Sequence, residues 1–175
     1  MSEMFAEGAA VVYDIYGVCI IKEIKPMSFT GGKPTQKYYV LSPLNSSLST
    51  YYVPVDSEKL TKKLRNPLTK SEIHSLLHGT AKNSMQWIEN RQMRSETFRA
   101  ILNEGVSAEL LSLIKCLFER KQELSEKGKS LSATDENMLS SAEKLICEEF
   151  AFSLGTEKEN VTGYICDYIE KHASE

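Results

Sequence analysis

The apolar residues of this 175-residue chain change their spacing once, near Asn66-Pro67, and this change limits the choice of folds more than any other feature. Before it, short runs rich in Val, Ile and Tyr are separated by turn residues, which is typical of β-strands. After it, apolar residues recur every three or four positions, as on one face of a helix. The sequence therefore predicts an α+β protein with two domains, residues 1–66 and residues 67–175.

The N-terminal segment carries strand signals and no helical pattern. The predicted strands cover residues 10–13, 17–24, 37–42 and 50–55. Several short strands in so short a segment favour a small, strongly bent sheet of the Tudor or SH3-like β-barrel type. Pro54 has no N–H group to donate, so we expect it at an edge or at a strand end. Residues 38–41 and 50–55 are therefore expected to form an exposed edge to which a partner can add a strand.

The C-terminal segment predicts a compact domain of about five helices. Thr69 and Glu72 have the spacing of a capping box, which indicates where the first helix begins. The other limits follow from capping and breaking residues: the first helix ends at Gly79, the second follows Asn83-Ser84 and runs to Asn103, the third lies between Ser107 and Gly128, the fourth runs from Ser132 or Thr134 to Gly155, and the fifth begins within residues 156–159. An apolar stripe on the fifth helix is expected to be buried; it consists of Val161, Tyr164, Ile165, Tyr168 and Ile169.

The composition is that of a soluble globular protein, with 41% hydrophobic and 26% charged residues. No apolar run is long enough to span a bilayer, and the short acidic N-terminus lacks the regions of a signal peptide, so we expect a cytoplasmic protein.

The charge is unevenly distributed along the chain. Residues 57–101 contain nine Lys or Arg and four acids, a balance of +5, whereas residues 136–175 have a balance of −6. The middle of the chain would attract a polyanion, although two solvated helix faces would give the same pattern.

Sites for catalysis, cofactors or metals are not expected. The chain has no phosphate-binding or dinucleotide-binding glycine motif and no nucleophile elbow. Its four cysteines are scattered without close pairing, which is typical of buried free thiols. His74 and His78 are one helical turn apart, but no further ligand completes a metal site. Glu148 and Glu149 are neighbours on a helix and are expected at a solvated edge. These features indicate a protein that is not an enzyme.

Trp87 is the only tryptophan of the chain, and it lies in its basic part. Arg91 and Arg94 are three residues apart and so would share a helix face. An indole between cationic side chains suits contact with distorted duplex DNA, where cations meet phosphates and a flat ring wedges against an unstacked base step. The candidate DNA-contacting residues are therefore Trp87, Lys82, Arg91, Arg94 and Arg99. The alternative is that Trp87 anchors the core of the helical domain.

The order of these features resembles the CarD/CdnL family of bacterial transcription regulators, and in particular its Firmicutes-type branch. In the N-terminal part the resemblance rests on Phe5-x-x-Gly8, Val12-Tyr13, Gly17-Val18, Tyr39-Val40-Leu41 and Val53-Pro54-Val55. In the C-terminal part it rests on Trp87, Leu102-x-x-Gly105, Leu117-Phe118-x-Arg120 and Leu145-x-x-x-Glu149-x-Ala151. The N-terminal part is also similar to the polymerase-binding module of the transcription-repair coupling factor.

The resemblance implies a Tudor-like N-domain that binds the β subunit of RNA polymerase. It also implies a helical C-domain that touches promoter DNA at the upstream edge of the transcription bubble, where Trp87 would stabilise the open complex. The polymerase-contacting residues expected from it are Tyr39, Leu41, Tyr51, Tyr52, Val53 and Pro54. Tyr52 and Met27 stand where well-known members carry Arg, so the docking chemistry is expected to differ.

Two further readings stay open at this point. The chain could be a polymerase-binding or other protein-interaction module without DNA contact, a reading favoured by Glu89 between Trp87 and Arg91 and by the acidic final helices. It could also be an enzyme with an unrecognised site, although the sequence shows no convergent set of catalytic residues. Under each reading a homodimer could form through the last helix. No cofactor is expected under any of these readings.

Overall fold

The computed structural model describes residues 4–29, 31, 35–83 and 85–174. The chain divides into two compact units, Met1–Pro67 and Leu68–Glu175. The first unit is an antiparallel sheet and the second is helical, which confirms the predicted α+β class with a Tudor-like sheet ahead of about five helices.

The N-terminal unit is a five-stranded antiparallel sheet with the strand order β4-β3-β2-β1-β5. The strands are β1 (Ala10–Tyr13), β2 (Val18–Met27), β3 (Gln36–Pro43), β4 (Tyr51–Pro54) and β5 (Leu64–Arg65), and a short helix α1 (Glu58–Thr61) precedes β5. The pairing of β2 with β3 shifts register between Ile21 and Glu23. Such a bulge bends and twists the sheet, which helps it to close over its own core. That core contains Val11, Cys19, Ile21, Tyr39, Leu41, Val53, Val55 and Leu64.

The outer strands of the sheet are β4 and β5, so the part of the edge prediction that falls on β3 is wrong. Residues 38–41 lie in β3, which pairs with β2 on one side and with β4 on the other. The prediction for Pro54 is confirmed, because it lies in the edge strand. The N–H of Val55 donates to the carbonyl of Lys37 at 2.9 Å. Since N–H directions alternate along a strand, positions 52 and 54 direct their backbone groups outward, where a proline leaves no ladder bond unmade.

The C-terminal unit contains five helices, which are α2 (Lys70–Lys82), α3 (Arg91–Glu104), α4 (Ser107–Glu126), α5 (Ala133–Leu154) and α6 (Lys158–His172). The capping box at Thr69 and Glu72 is confirmed. Ser132 caps α5, and Gly105 and Gly155 end α3 and α5 in the left-handed conformation. The limits of the third to fifth helices therefore follow the sequence closely.

Two helix limits differ from the prediction. Helix α2 continues through Gly79 to Lys82. Helix α3 begins only at Arg91, because the side chain of Asn90 accepts a hydrogen bond from the N–H of Met93 and so caps the helix there. Trp87 consequently lies in a non-helical segment, residues 85–90, rather than within a helix. Ser84, where the second helix was expected to begin, lies outside the described residues.

The helical core is continuous across all five helices. Its largest fully buried side chains include Phe98 of α3 and Phe150 of α5. From α6 it receives Val161, Ile165 and Ile169, which confirms their predicted burial. Tyr164 and Tyr168 are only partly buried and pack against that core from outside.

Glu148 and Glu149 are buried, so the expected solvated edge is wrong. The carboxylate of Glu149 accepts a hydrogen bond from the N–H of Leu68 at 2.8 Å, and that of Glu148 lies 3.4 Å from the ammonium of Lys158. Buried carboxylates require such partners, because an unpaired charge is costly to desolvate. Glu149 therefore fixes the start of the helical unit.

All histidines and cysteines of the chain are buried or half-buried. His74 and His78 are half-buried on α2, where both meet rings from α6. The ring of His74 stacks on that of Tyr168 with ring centres 5.4 Å apart, and the ring of His78 meets that of His172 edge-on with ring centres 5.9 Å apart. Within the described residues no group of His, Cys, Asp or Glu is arranged to hold a metal ion. Three of the four cysteines are buried as free thiols, and burial raises the pKa of the half-buried Cys166 to about 11. In the described part of the chain, no helix is both long and apolar enough to cross a membrane.

Replacing Ile165 by Ala should lower the free energy of unfolding by about 2–5 kcal/mol, because this side chain is 1% exposed within the helical core. The measurement is urea denaturation followed by circular dichroism. Glu170→Ala, an exposed position on the same helix, should change the same quantity by less than about 0.5 kcal/mol. Equal, small effects of the two variants would show that α6 adds little to the fold.

Candidate nucleic-acid interface

Trp87 lies at the surface of the helical unit on a segment that has no helical hydrogen bonds of its own. Its ring is half-buried and packs against the helical core. The ring meets Phe98 of α3 edge-on, with ring centres 6.4 Å apart and planes inclined by 64°. This is a favourable aromatic geometry, because the positive edge of one ring faces the negative face of the other. The residue is thus part core anchor and part exposed surface.

Two guanidinium groups lie over the indole of Trp87. The Cζ atom of Arg94 is 4.4 Å from the ring centre, and the Cζ atom of Arg120 is 5.1 Å from it. A cation within about 6 Å of a tryptophan face is attracted by the ring quadrupole. Arg94 comes from α3 and Arg120 from α4, so two helices hold the ring.

Arg94 is buried and fully engaged inside the protein, so its expected role as a phosphate contact is corrected. Its side chain is 9% exposed and forms a bidentate pair with Asp135, from Nε to Oδ1 and from Nη2 to Oδ2, both at 3.0 Å. Its Nη1 donates to the carbonyls of Ile88 at 2.8 Å and of Glu89 at 3.2 Å. Helix α3 therefore directs Arg94 inward. Its guanidinium group is buried and makes four hydrogen bonds, so it has little capacity left to bind a ligand.

Asp135 is held in its ionised form by these contacts. Burial by itself would raise the pKa of this carboxyl group, but hydrogen bonds from Arg94 and Ser132, with the charges of Arg94 and Arg91, hold the pKa below its ordinary value. The hydroxyl of Ser132 donates to Oδ2 of Asp135 at 2.7 Å, and Oγ of Ser132 accepts a hydrogen bond from the N–H of Asp135 at 3.2 Å. The cap of α5 and the partner of Arg94 are therefore one structure.

The other three predicted cations are exposed. Lys82 is the last residue of α2, Arg91 is the first residue of α3, and Arg99 lies two turns further along α3. Arg91 is close enough to lower the pKa of Asp135, yet its side chain remains on the surface. The side chains of these three residues are therefore accessible to phosphates.

Sequence reasoning named Ser132 as a candidate helix cap but missed Asp135 and the role of Arg120. Ser132-x-x-Asp135 has the spacing of a helix cap, and this signal was available. Nothing in the spacing of the chain, however, pairs residue 94 with residue 135, because that contact depends on how α3 packs against α5.

Three of the six side chains that were expected to contact polymerase are buried in the N-terminal core, so this expectation is corrected for them. Tyr39, Leu41 and Val53 are fully buried, because they lie on the face of the sheet that covers the core. Pro54 is half-buried on the edge strand, and Tyr51 is half-buried against Tyr16, with ring centres 4.8 Å apart.

Tyr52 is the one of the six that is exposed, with 43% of its surface accessible. It belongs to a group that we call the edge aromatic cluster, which consists of the exposed Phe29 and Tyr52 and the half-buried Tyr38. Phe29 lies 5.1 Å from Tyr38 and 5.3 Å from Tyr52 between ring centres. The sequence prediction placed Tyr38 at the docking edge but missed Phe29. It also did not separate Tyr38 from Tyr39, which lie on opposite faces because side chains alternate along a strand. Met27 is half-buried at the end of β2.

Comparison with protein-family models gives a match to each unit. Residues 5–66 match the model described as CarD-like/TRCF RID domain. Residues 72–166, more than half of the chain, match the model described as CarD, C-terminal domain. A comparison with curated proteins found no match. The family models do not distinguish branches, so the Firmicutes-type assignment stays a prediction.

Replacing Asp135 by Asn should lower the free energy of unfolding at pH 7 by about 3–5 kcal/mol, because it leaves the buried Arg94 without its counter-charge. The pKa of Asp135 is lowered in the folded state, so its stabilising effect is full above its unfolded pKa of about 4 and is lost as pH falls through the folded pKa. Urea denaturation from pH 7 to pH 3 should therefore show the difference between wild type and variant shrinking in acid. A difference that is constant with pH would contradict the ion pair.

Proposed function

The chain belongs to the CarD family, whose domains are those of RNA polymerase-interacting transcription factors, and from this premise we propose that it bridges the polymerase β subunit and promoter DNA and stabilises the open complex. Proteins built from these domains are non-enzymatic regulators. In this proposal the N-terminal sheet docks on the polymerase, and the helical unit touches DNA at the upstream edge of the transcription bubble.

The DNA part of the proposal rests on one observation, which is that the ring of Trp87 is both partly exposed and held in place. Its ring is half-exposed, although it is fixed by Phe98 and by two guanidinium groups. An apolar ring that is already ordered loses little conformational freedom when it meets a base step. A wedge into a distorted minor groove requires such a ring.

Exposed cations support the same proposal. Arg91 begins the helix that follows the Trp87 segment, and Arg99 and Lys82 are exposed on neighbouring parts of the unit. Phosphate contacts of this kind orient a protein on the duplex and provide most of its affinity without reading the sequence. Helix α6 packs against α2 and α5 and carries three acids and two Lys, a balance of −1, so it adds little repulsion to DNA that approaches α3.

The edge of the N-terminal sheet supports docking on polymerase. Strand β4 directs the N–H and C=O of Tyr52 outward, whereas the carbonyl of Pro54 already accepts a hydrogen bond from the N–H of Ser57 at 3.2 Å. A partner strand can pair with the backbone groups of Tyr52, while the edge aromatic cluster supplies apolar contact area beside them.

A polymerase-binding module without DNA contact is the second candidate. It is favoured by the packing of Trp87 against Phe98 and the helical core, which would be sufficient reason for a tryptophan at this position.

Trp87→Ala should weaken the binding of the helical unit to promoter DNA and shorten the lifetime of the open complex. Loss of one stacking ring corresponds to about 1–3 kcal/mol. The measurement is open-complex lifetime after a heparin challenge, with circular dichroism to confirm that the variant is folded. An unchanged lifetime in a folded variant would favour the second candidate.

One arginine variant and one lysine variant serve as controls for that experiment. Arg91→Ala should flatten the dependence of DNA affinity on salt, because one fewer counterion is released. Trp87→Ala should leave the salt dependence as it is. Lys171→Ala, an exposed change on α6, should alter neither quantity.

Tyr52→Pro should abolish binding to the polymerase β subunit, because it removes the outward N–H of β4 and leaves the bonds between β3 and β4 in place. Tyr52→Ala keeps that N–H and removes only the ring, so it should weaken binding less. The measurement is a pull-down of the β subunit with the full chain, and the melting temperature reports on folding. If the alanine variant loses binding and the proline variant behaves no worse, docking depends on the ring and not on strand addition.

A further inference from the structure

The segment that carries Trp87 is held by groups from three helices. Residues 85–90 form no helix of their own, but the side chain of Arg94 from α3 donates to the carbonyls of Ile88 and Glu89 in that segment. These are the two residues that directly follow Trp87. The path of the backbone next to the tryptophan is therefore fixed by one side chain.

The same guanidinium fixes the ring. Its Cζ atom lies 4.4 Å from the centre of the Trp87 indole, while Nε and Nη2 are held by the carboxylate of Asp135 at 3.0 Å. Asp135 is in turn held by the cap of α5, where the hydroxyl of Ser132 donates to it at 2.7 Å. A continuous series of contacts thus connects the start of α5 to the indole through Asp135 and Arg94.

Arg120 completes the arrangement with a second guanidinium. It lies 5.1 Å from the same ring centre, and its Nη1 donates to Glu123 at 3.0 Å. Its Nε is buried and has no hydrogen-bond partner among the residues that the structure describes. A polar group buried in this way is destabilising unless other contacts compensate, and the indole face is the compensating contact that the structure offers.

We propose that Arg94 is a positioning residue that acts through Trp87: its buried fork sets the ring in the orientation that meets DNA, and it does so without touching DNA itself. This inference rests on the proposed DNA contact of Trp87. Lysine cannot replace Arg94, because an ammonium group has three donors for these four hydrogen bonds and no flat face to stack on the ring. The orientation of the wedge therefore depends on a buried charge.

The only tryptophan of the chain gives a direct measurement. Intrinsic fluorescence selected for tryptophan reports on position 87 alone. Arg94→Lys should raise the quenching of that emission by acrylamide about twofold or more and lower its anisotropy, at a temperature where circular dichroism shows a folded protein. Ile165→Val, which weakens the core at a buried position on α6, serves as the control for general destabilisation and should leave both quantities unchanged. Unchanged quenching in Arg94→Lys would overturn the proposal.

A second variant covers the case in which Arg94→Lys does not fold. Arg94→Met with Asp135→Asn removes both charges of the buried pair together, which proteins tolerate better than the loss of one partner. The double variant should show the same increase in quenching. If it is folded and its emission is quenched as in the wild type, Arg94 does not position the ring.

A double-mutant comparison separates positioning from direct contact. In the wild-type background, Arg94→Lys should weaken promoter binding by about tenfold, within the range for loss of one stacked base. In a Trp87→Ala background the same change should have an effect of less than about twofold, because there is no ring to position. Equal losses in both backgrounds would show that Arg94 acts independently of Trp87 and would overturn the proposal.

The quenching measurement and the double-mutant comparison together also distinguish this inference from the proposed function. If Trp87→Ala has no effect on promoter binding, the DNA contact fails, and the quenching experiment still decides whether Arg94 positions the ring. If Trp87→Ala weakens binding and Arg94→Lys leaves both quenching and binding as in the wild type, the proposed function stands and the positioning role is wrong.

Discussion

The buried ion pair between Arg94 and Asp135 is the interaction on which the functional surface of the helical unit depends. It joins α3 to the first turn of α5, and the remaining donors of Arg94 fix the segment that carries Trp87. A buried ion pair is weak evidence for stability, because desolvation opposes the Coulomb attraction. Here its evident effect is to specify geometry: a guanidinium fork has few ways to satisfy a carboxylate and two carbonyls at once.

This pair changes how the charge of the chain is to be interpreted. Counting residues gives a basic middle segment, but Arg94 is neutralised inside the protein, and Arg120 is turned toward Trp87 and Glu123. The arginines of α3 that remain on the surface are Arg91 and Arg99. Sequence charge thus locates a basic region, whereas only packing separates the cations that can meet a phosphate from those that support an aromatic ring.

Much of the fold could be predicted because its signals are local. The strand limits follow from β-branched runs, and Thr69, Ser132, Gly105 and Gly155 mark helix ends by hydrogen bonds that lie within a few residues. The start of α3 was missed, although Asn90 is itself a good capping residue, because the apolar spacing continues upstream of it.

The candidate sites were less predictable, because they depend on register and on contacts between distant residues. Tyr39, Leu41 and Val53 were expected to meet a partner, yet a one-residue difference in strand position decides whether a side chain faces the core or the solvent. Trp87 itself was identified from the sequence. The groups that hold it, from positions 94, 120 and 135, come together only when three helices pack.

The central claim is that the ordered ring of Trp87 meets promoter DNA while the N-terminal unit is bound to polymerase. The most direct test is the acrylamide quenching of a tryptophan analogue with red-shifted absorption, incorporated at position 87, so that polymerase tryptophans do not contribute. Quenching should fall when both polymerase and promoter are present, and it should be unchanged with polymerase alone, because only the duplex covers the indole. Quenching in the complete open complex equal to that of the free protein would contradict the claim.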